Sequence, residues 1–225
     1  TARSKPGGAG TQTAALAFGG NAPARNETET WNGTNWTEVN NLGTARYGLA
    51  GCGATNTAAL AFGAYTPAPS KASTEKWNGT NWTAVNALNT GRGYLAGAGT
   101  NTAALGFGGY VPGGSPQTLT ELWNGTNWTE VADMNTARRA LGGCGTSTAA
   151  LGFGGQDSAG SPPNSALAET WNGTIWTAVG NLNTGRARVG GLGSTTAGLA
   201  FGGTPYTAAT EEFNNPGTIT KTLTS

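Results

Sequence analysis

Glu29, Glu75, Glu121, Glu169 and Glu211 each stand two residues before an aromatic side chain, and Arg3, Arg46, Arg92, Arg138 and Arg186 recur at matching intervals. Charges spaced so regularly offer two kinds of chemistry. One is a ring of like groups facing a ligand. The other is an ion pair in every repeat, with the planar guanidinium fork serving a carboxylate and nearby loop carbonyls. A residue needed once per repeat serves the repeat, so the structural pair is the expectation. Glycoside hydrolysis would need two acids flanking one cleft, and the spacing sets up no such pair.

Other chemistry is thinner. The chain has no histidine, which removes Ser-His-Asp and Cys-His nucleophile activation and every His-containing metal site. Its two cysteines, Cys52 and Cys144, occupy the same repeat position, where other copies carry Ala9, Ala98 and Leu192. A position that accepts Ala, Cys or Leu is a packing position. Two thiols in repeats that are not neighbours are expected to stay reduced. No catalytic residue, metal or cofactor is therefore expected. Glycine runs such as Gly7-Gly8-Ala9-Gly10 lack the Lys-Ser/Thr and the helix that a phosphate loop requires. The Asn-X-Thr triplets, including Asn32-Gly33-Thr34, read as hairpin chemistry rather than glycan acceptors.

The elements that must position these residues follow from the repeat. A Phe-Gly doublet recurs at Phe18, Phe62, Phe107, Phe153 and Phe201, and Thr-Ala/Gly-Arg at Thr1, Thr44, Thr90, Thr136 and Thr184, spaced 43–48 residues apart. That period belongs to propeller blades. In the second copy the unit divides into a glycine-rich strand A (Gly48–Ala54), an apolar strand B (Ala58–Gly63), strand C (Thr74–Asn78) and strand D (Trp82–Leu88). Trp-Asn-Gly-Thr-Asn-Trp joins C to D in the first three copies, and Asn-Gly is a strong hairpin signal. Strands paired in sequence order make an antiparallel meander, and five meanders set radially make a propeller. The fold class expected is all-β: one five-bladed propeller of four-stranded antiparallel blades, with blades near 1–43, 44–89, 90–135, 136–183 and 184–225. Small residues in strand A suit the crowded axis. The pairs Trp31/Trp36, Trp77/Trp82, Trp123/Trp128 and Trp171/Trp176 are expected to fill the wedges between blades. Blade 5 departs, with Phe213 and Ile219 at the two Trp positions and Pro216 in the turn.

An Arg, a small-residue strand, an apolar strand ending in Gly-Gly, a variable loop, then an aromatic and a Trp about five residues apart: this order resembles the kelch repeat over essentially the whole chain. It departs in having Trp where kelch repeats usually have Tyr, and Ala64 for one Gly. The resemblance implies a propeller used for binding; the His ligands of the copper-oxidase kelch branch have no counterpart here. Phrases such as NTAR and WNGTNWTEV also resemble repeats encoded by marine bacteriophages, which implies a virion-associated protein. Kelch propellers often close by borrowing a strand from the opposite terminus. No split blade is visible in this sequence, so closure is expected from packing blade 5 on blade 1, as the weak seam of the ring.

Composition narrows the partners. The formal net charge is +1, and without a basic excess nucleic acid is not the expected partner. No apolar run reaches the roughly 18 residues of a membrane span, and residues 1–4 show no signal-peptide core. The expectation is a non-enzymatic binding or structural module, monomeric as a propeller, on a virion or extracellular surface. Its partner is expected to be another protein or a surface glycan. In an A-B-C-D meander the B–C and D–A connections share one face, and the B–C loops are what differ among copies. Specificity is expected there, on Arg25, Tyr65, Lys71, Tyr110, Gln117, Asp157 and Tyr206, with Pro23, Pro67, Pro69, Pro112, Pro162, Pro163 and Pro205 shaping the loops. The alternative is a lectin with repeated pockets between blades built on Trp, Asn and Glu.

Overall fold

The computed structural model describes residues 2–21, 23–65, 71–157 and 164–214, together with the backbone of 218–223. Pro67, Pro69, Pro162, Pro163, Pro216 and the side chain of Ile219 lie outside the described residues. Twenty strands form five four-stranded antiparallel sheets, each a meander in sequence order. Blade 1 holds β1 (Gly7–Gly10), β2 (Ala15–Phe18), β3 (Thr28–Trp31) and β4 (Trp36–Val39). Blade 2 holds β5 (Ala50–Thr55), β6 (Ala58–Ala64), β7 (Lys71–Trp77) and β8 (Trp82–Val85). Blade 3 holds β9 (Ala96–Gly99), β10 (Ala104–Phe107), β11 (Thr120–Trp123) and β12 (Trp128–Glu130). Blade 4 holds β13 (Gly142–Gly145), β14 (Ala150–Phe153), β15 (Ala168–Trp171) and β16 (Trp176–Val179). Blade 5 holds β17 (Gly190–Gly193), β18 (Ala197–Phe201), β19 (Thr210–Asn214) and β20 (Thr218–Leu223). The innermost strands surround a channel of about 830 Å³. The protein is a five-bladed β-propeller.

The C–D turn works differently from a two-residue Asn-Gly hairpin. Trp31 pairs with Trp36 across a four-residue loop. Asn32 Oδ1 accepts the N–H groups of Thr34 and Asn35, both at 2.9 Å, so the asparagine side chain itself organises the turn. Asn78, Asn124 and Asn172 do the same.

Strand A is small because an aromatic ring from the preceding blade lies against it. A Cβ on Gly51 would stand 2.5 Å from Phe18 Cζ, one on Gly97 2.8 Å from Phe62 Cζ, and one on Gly143 2.7 Å from Phe107 Cζ. Each of these phenylalanines also meets the second Trp of the next blade. Phe18–Trp82, Phe62–Trp128 and Phe107–Trp176 have ring centroids 4.8–4.9 Å apart, within the favourable range for aromatic pairs. The two Trp of a blade divide the work. The first donates its indole N–H to the A–B turn of its own blade, as Trp77 does to the Asn56 carbonyl at 2.9 Å. The second reaches back one blade, where Trp82, Trp128 and Trp176 donate to the hydroxyls of Thr28, Thr74 and Thr120 at 3.0 Å.

Each repeated Arg pairs with the repeated Glu of its own blade: Arg3–Glu29, Arg46–Glu75, Arg92–Glu121, Arg138–Glu169 and Arg186–Glu211. The guanidinium also donates to backbone carbonyls, as Arg138 does to Gly154 at 2.9 Å and Leu167 at 2.6 Å. The second carboxylate oxygen takes an N–H from the chain entering the blade, namely Gly43, Asn89, Asn135 or Asn183 for Glu75, Glu121, Glu169 and Glu211. The pair therefore pins the D–A crossover. Burial lowers the pKa of Arg46 and Arg138 from the ordinary value, against the opposing pull of Glu75 and Glu169.

Cores sit between blades rather than within them. Four apolar clusters bridge blades 1–2, 2–3, 3–4 and 4–5. Among the described residues no strand is exchanged between the ends, and the seam from blade 5 to blade 1 is the weak one. Strands β1, β5, β9, β13 and β17 pack successively, but β17 has no comparable packing on β1. Trp36 accordingly does not fill a wedge and is 50% exposed. Cys52 and Cys144 are free and buried, packed toward the Thr100 and Ser194 carbonyls of the following blades, and burial pushes both thiols up to about 12.

Candidate binding face

The residue two positions after each repeated Arg, just ahead of strand A, adopts a left-handed backbone: Lys5 (φ 54°), Gly48 (59°), Tyr94 (56°), Ala140 (53°) and Arg188 (56°). That conformation costs a non-glycine residue on the order of 1–2 kcal/mol, and it persists where surrounding structure over-determines it. Here a hydrogen-bonded belt does so. Gly48 N–H donates to the Lys5 carbonyl (3.4 Å), Tyr94 to Gly48 (2.7 Å), Ala140 to Tyr94 (2.8 Å) and Arg188 to Ala140 (2.6 Å). The belt runs from blade 1 to blade 5 along the channel mouth, on the face of the B–C loops. It also explains why strand A of blade 2 starts at Ala50 and not at the expected Gly48, whose φ is not that of a strand.

The preceding residue pairs with the start of the B–C loop through isolated bridges, Tyr47 with Tyr65, Gly93 with Tyr110 and Arg139 with Gln156. Crossover and loop thus deliver side chains to one place. Tyr65 is the centre, with its ring 5.6 Å from Tyr47, 5.0 Å from Tyr94 and 6.2 Å from Tyr110. Arg139 lies 4.7 Å over the Tyr110 ring, a cation–π distance, and its Nε donates to Gln156 Oε1 at 3.2 Å. Lys5 Nζ donates to the Tyr94 hydroxyl at 3.3 Å and sits 5.6 Å above Tyr47. A cavity of about 170 Å³ opens among Tyr65, Tyr94, Tyr110, Arg139, Gln156 and Arg188.

Three cations therefore stand at this mouth, and none has a carboxylate within ion-pair distance among the described residues. Partial burial, and next the charge of Arg188, lower the Lys5 pKa. Burial, and next Tyr65, raise that of Tyr94. Such a site can stack a planar or apolar body on tyrosine while offering cations to a negative group. Among the described residues, the channel below has no titratable lining besides the two cysteines. The repeated carboxylates stand one per blade, each held by its arginine, and no three Asp, Glu or Cys converge as a metal site among the described residues.

Of the seven loop residues expected to bind, the structure brings together Tyr65 and Tyr110. Arg25 pairs with Glu27 at 2.7 Å. Gln117 folds back onto the Ser115 carbonyl at 2.6 Å, and Asp157 lies near Arg138. Lys71 is exposed at the start of β7, and Tyr206 is 96% exposed. Sequence reasoning missed Lys5, Tyr47, Tyr94, Arg139 and Arg188. The signal was there: the two residues after the repeated Arg read Ser-Lys, Tyr-Gly, Gly-Tyr, Arg-Ala and Ala-Arg, the most variable positions of an otherwise uniform crossover.

Among the described residues, no helix is long and apolar enough to cross a membrane. No family model and no curated protein matches the chain.

Proposed function

We propose that this protein is a non-enzymatic binding module of kelch type, displayed on a virion or cell surface, which grips an anion-bearing protein or glycan at the mouth of its B–C loop face. One observation carries the reading: four tyrosines and three cations, which have no ion-pair partner among the described residues, converge where the repeats differ. Tyrosines add contact area at low entropic cost and are characteristic of recognition surfaces. Unpaired cations steer and select negative partners. The virion setting rests on the resemblance of the repeat wording to repeats encoded by marine bacteriophages.

The test is an array carrying acidic glycans, neutral glycans and Asp/Glu-rich peptides, probed with the wild-type protein and with a double variant, Arg139→Ala with Arg188→Ala. The proposal expects retention of acidic members, weakened at least tenfold in the variant. Retention should also fall as pH rises toward the lysine range. Lys5 has the lowered pKa, from partial burial and the charge of Arg188, and gives up its charge as the pH rises. Equal retention by wild type and variant overturns the proposal. Neutral glycans bound at several equivalent sites per chain would favour the lectin instead.

A further inference from the structure

At every made blade interface the same groups meet. The N–H of the second doublet residue (Gly20, Ala64, Gly109, Gly155) donates to the carbonyl of the next blade's Arg (Arg46, Arg92, Arg138, Arg186) at 2.8–3.1 Å. A Cβ on the first doublet glycine would strike that same carbonyl, at 2.8 Å for Gly19 and 2.6 Å for Gly63. Phe18, Phe62, Phe107 and Phe153 are no more than 2% exposed, pressed on the next blade's strand A.

Among the described residues, the same groups of blade 5 meet no such partner. Gly203 N–H makes no bond to the Arg3 carbonyl, and a Cβ on Gly202 would meet no atom within 4 Å. Phe201 is 39% exposed and Leu192 53%. Blade 1 is left with the reciprocal half. Trp36, the counterpart of Trp82, Trp128 and Trp176, is half exposed with no acceptor for its indole N–H among the described residues. The belt also stops here, since Lys5 N–H has no bond to the Arg188 carbonyl.

The Trp–Thr pair at this seam is intact in sequence. Thr210 stands where Thr28, Thr74 and Thr120 accept an indole N–H, and Trp36 stands where the donor does. By contrast, the made interface between blades 4 and 5 has lost both partners, with Ala168 for the Thr and Ile219 for the Trp. A gap of about 10 Å³ lies there. The matched pair is present on two open faces and absent from a covered one.

We propose that these two faces join in trans: a second copy of this chain docks head to tail, its blade 1 seating Trp36 on Phe201 and Thr210 of the first. The contact continues an interface already made four times within the chain. It is heterologous, so it extends to rings or longer assemblies as concentration rises.

Sedimentation of the 225-residue protein across a concentration series tests this with two variants, Trp36→Asp and Phe201→Asp. Both residues are partly exposed in the single chain, so both variants should fold, which circular dichroism would verify. Wild type should associate with increasing concentration, and each variant alone should associate at least tenfold more weakly. An equimolar mixture should recover association but stop at a 1:1 dimer, because each variant keeps one sound face. A wild-type protein that stays monomeric throughout, or a mixture no better than the single variants, overturns the proposal.

Discussion

The arginine of each repeat is the residue on which a blade's entry depends. Arg92 is fully buried and gives its guanidinium to Glu121 and to the carbonyls of Gly108 (2.9 Å) and Gly106 (3.2 Å). Glu121 in turn holds the Asn89 N–H at 2.7 Å. Removing one member of a buried pair leaves the other charge without compensation, which is costlier than the pair's own net contribution. Glu121→Gln is expected to lower stability by about 3–5 kcal/mol, measured by urea unfolding. A loss below about 1 kcal/mol would show that the crossover does not rely on the pair. The site residues follow the opposite logic. Lys5, Arg139 and Arg188 pair with no carboxylate among the described residues, which leaves them available to a partner.

Strand A has a geometry that a side chain would break. Its glycines alternate with Ala, Cys or Leu, and the glycine at Gly97 lies against the Phe62 ring of the preceding blade. Gly97→Ala would place a methyl 2.8 Å from Phe62 Cζ and 3.3 Å from the Gly51 carbonyl. Overpacking of this kind costs about 1–3 kcal/mol, to be read as a lowered urea midpoint with unchanged slope. An unchanged midpoint would mean that the blades shift apart freely. The element also explains how a glycine-rich strand was legible: alternating small residues marked the axis, but only packing shows that the reason is a neighbour's ring.

As a whole the molecule is a chain of blades joined by four strong interfaces and one open seam. Stability should be distributed accordingly, much as in quasi-one-dimensional repeat proteins. Phe107 and Phe201 occupy the same repeat position, at 0% and 39% exposure. Phe107→Ala should cost about 3–5 kcal/mol, whereas Phe201→Ala in dilute protein should cost under about 1 kcal/mol. Equal losses in denaturant titrations would show that the seam is closed in solution.

Sequence alone determined the blade count, the order of four strands in each, and the pairing of repeated Arg with repeated Glu as the simpler reading. Each is a periodic property, and a feature repeated five times reports the unit that repeats. The same uniformity pointed to the side on which variation collects. What sequence could not supply is how unlike residues from different blades meet around an axis. Tyr47, Tyr65, Tyr94 and Tyr110 come from blades 2 and 3, Arg139 and Arg188 from blades 4 and 5, and Lys5 from blade 1. They adjoin because the belt gathers five left-handed residues around one mouth. Likewise the matched Trp36 and Thr210 could be read from the sequence. That their faces stand open was decided by the tertiary structure, because whether the last blade reaches the first depends on the angles summed over all the interfaces between them.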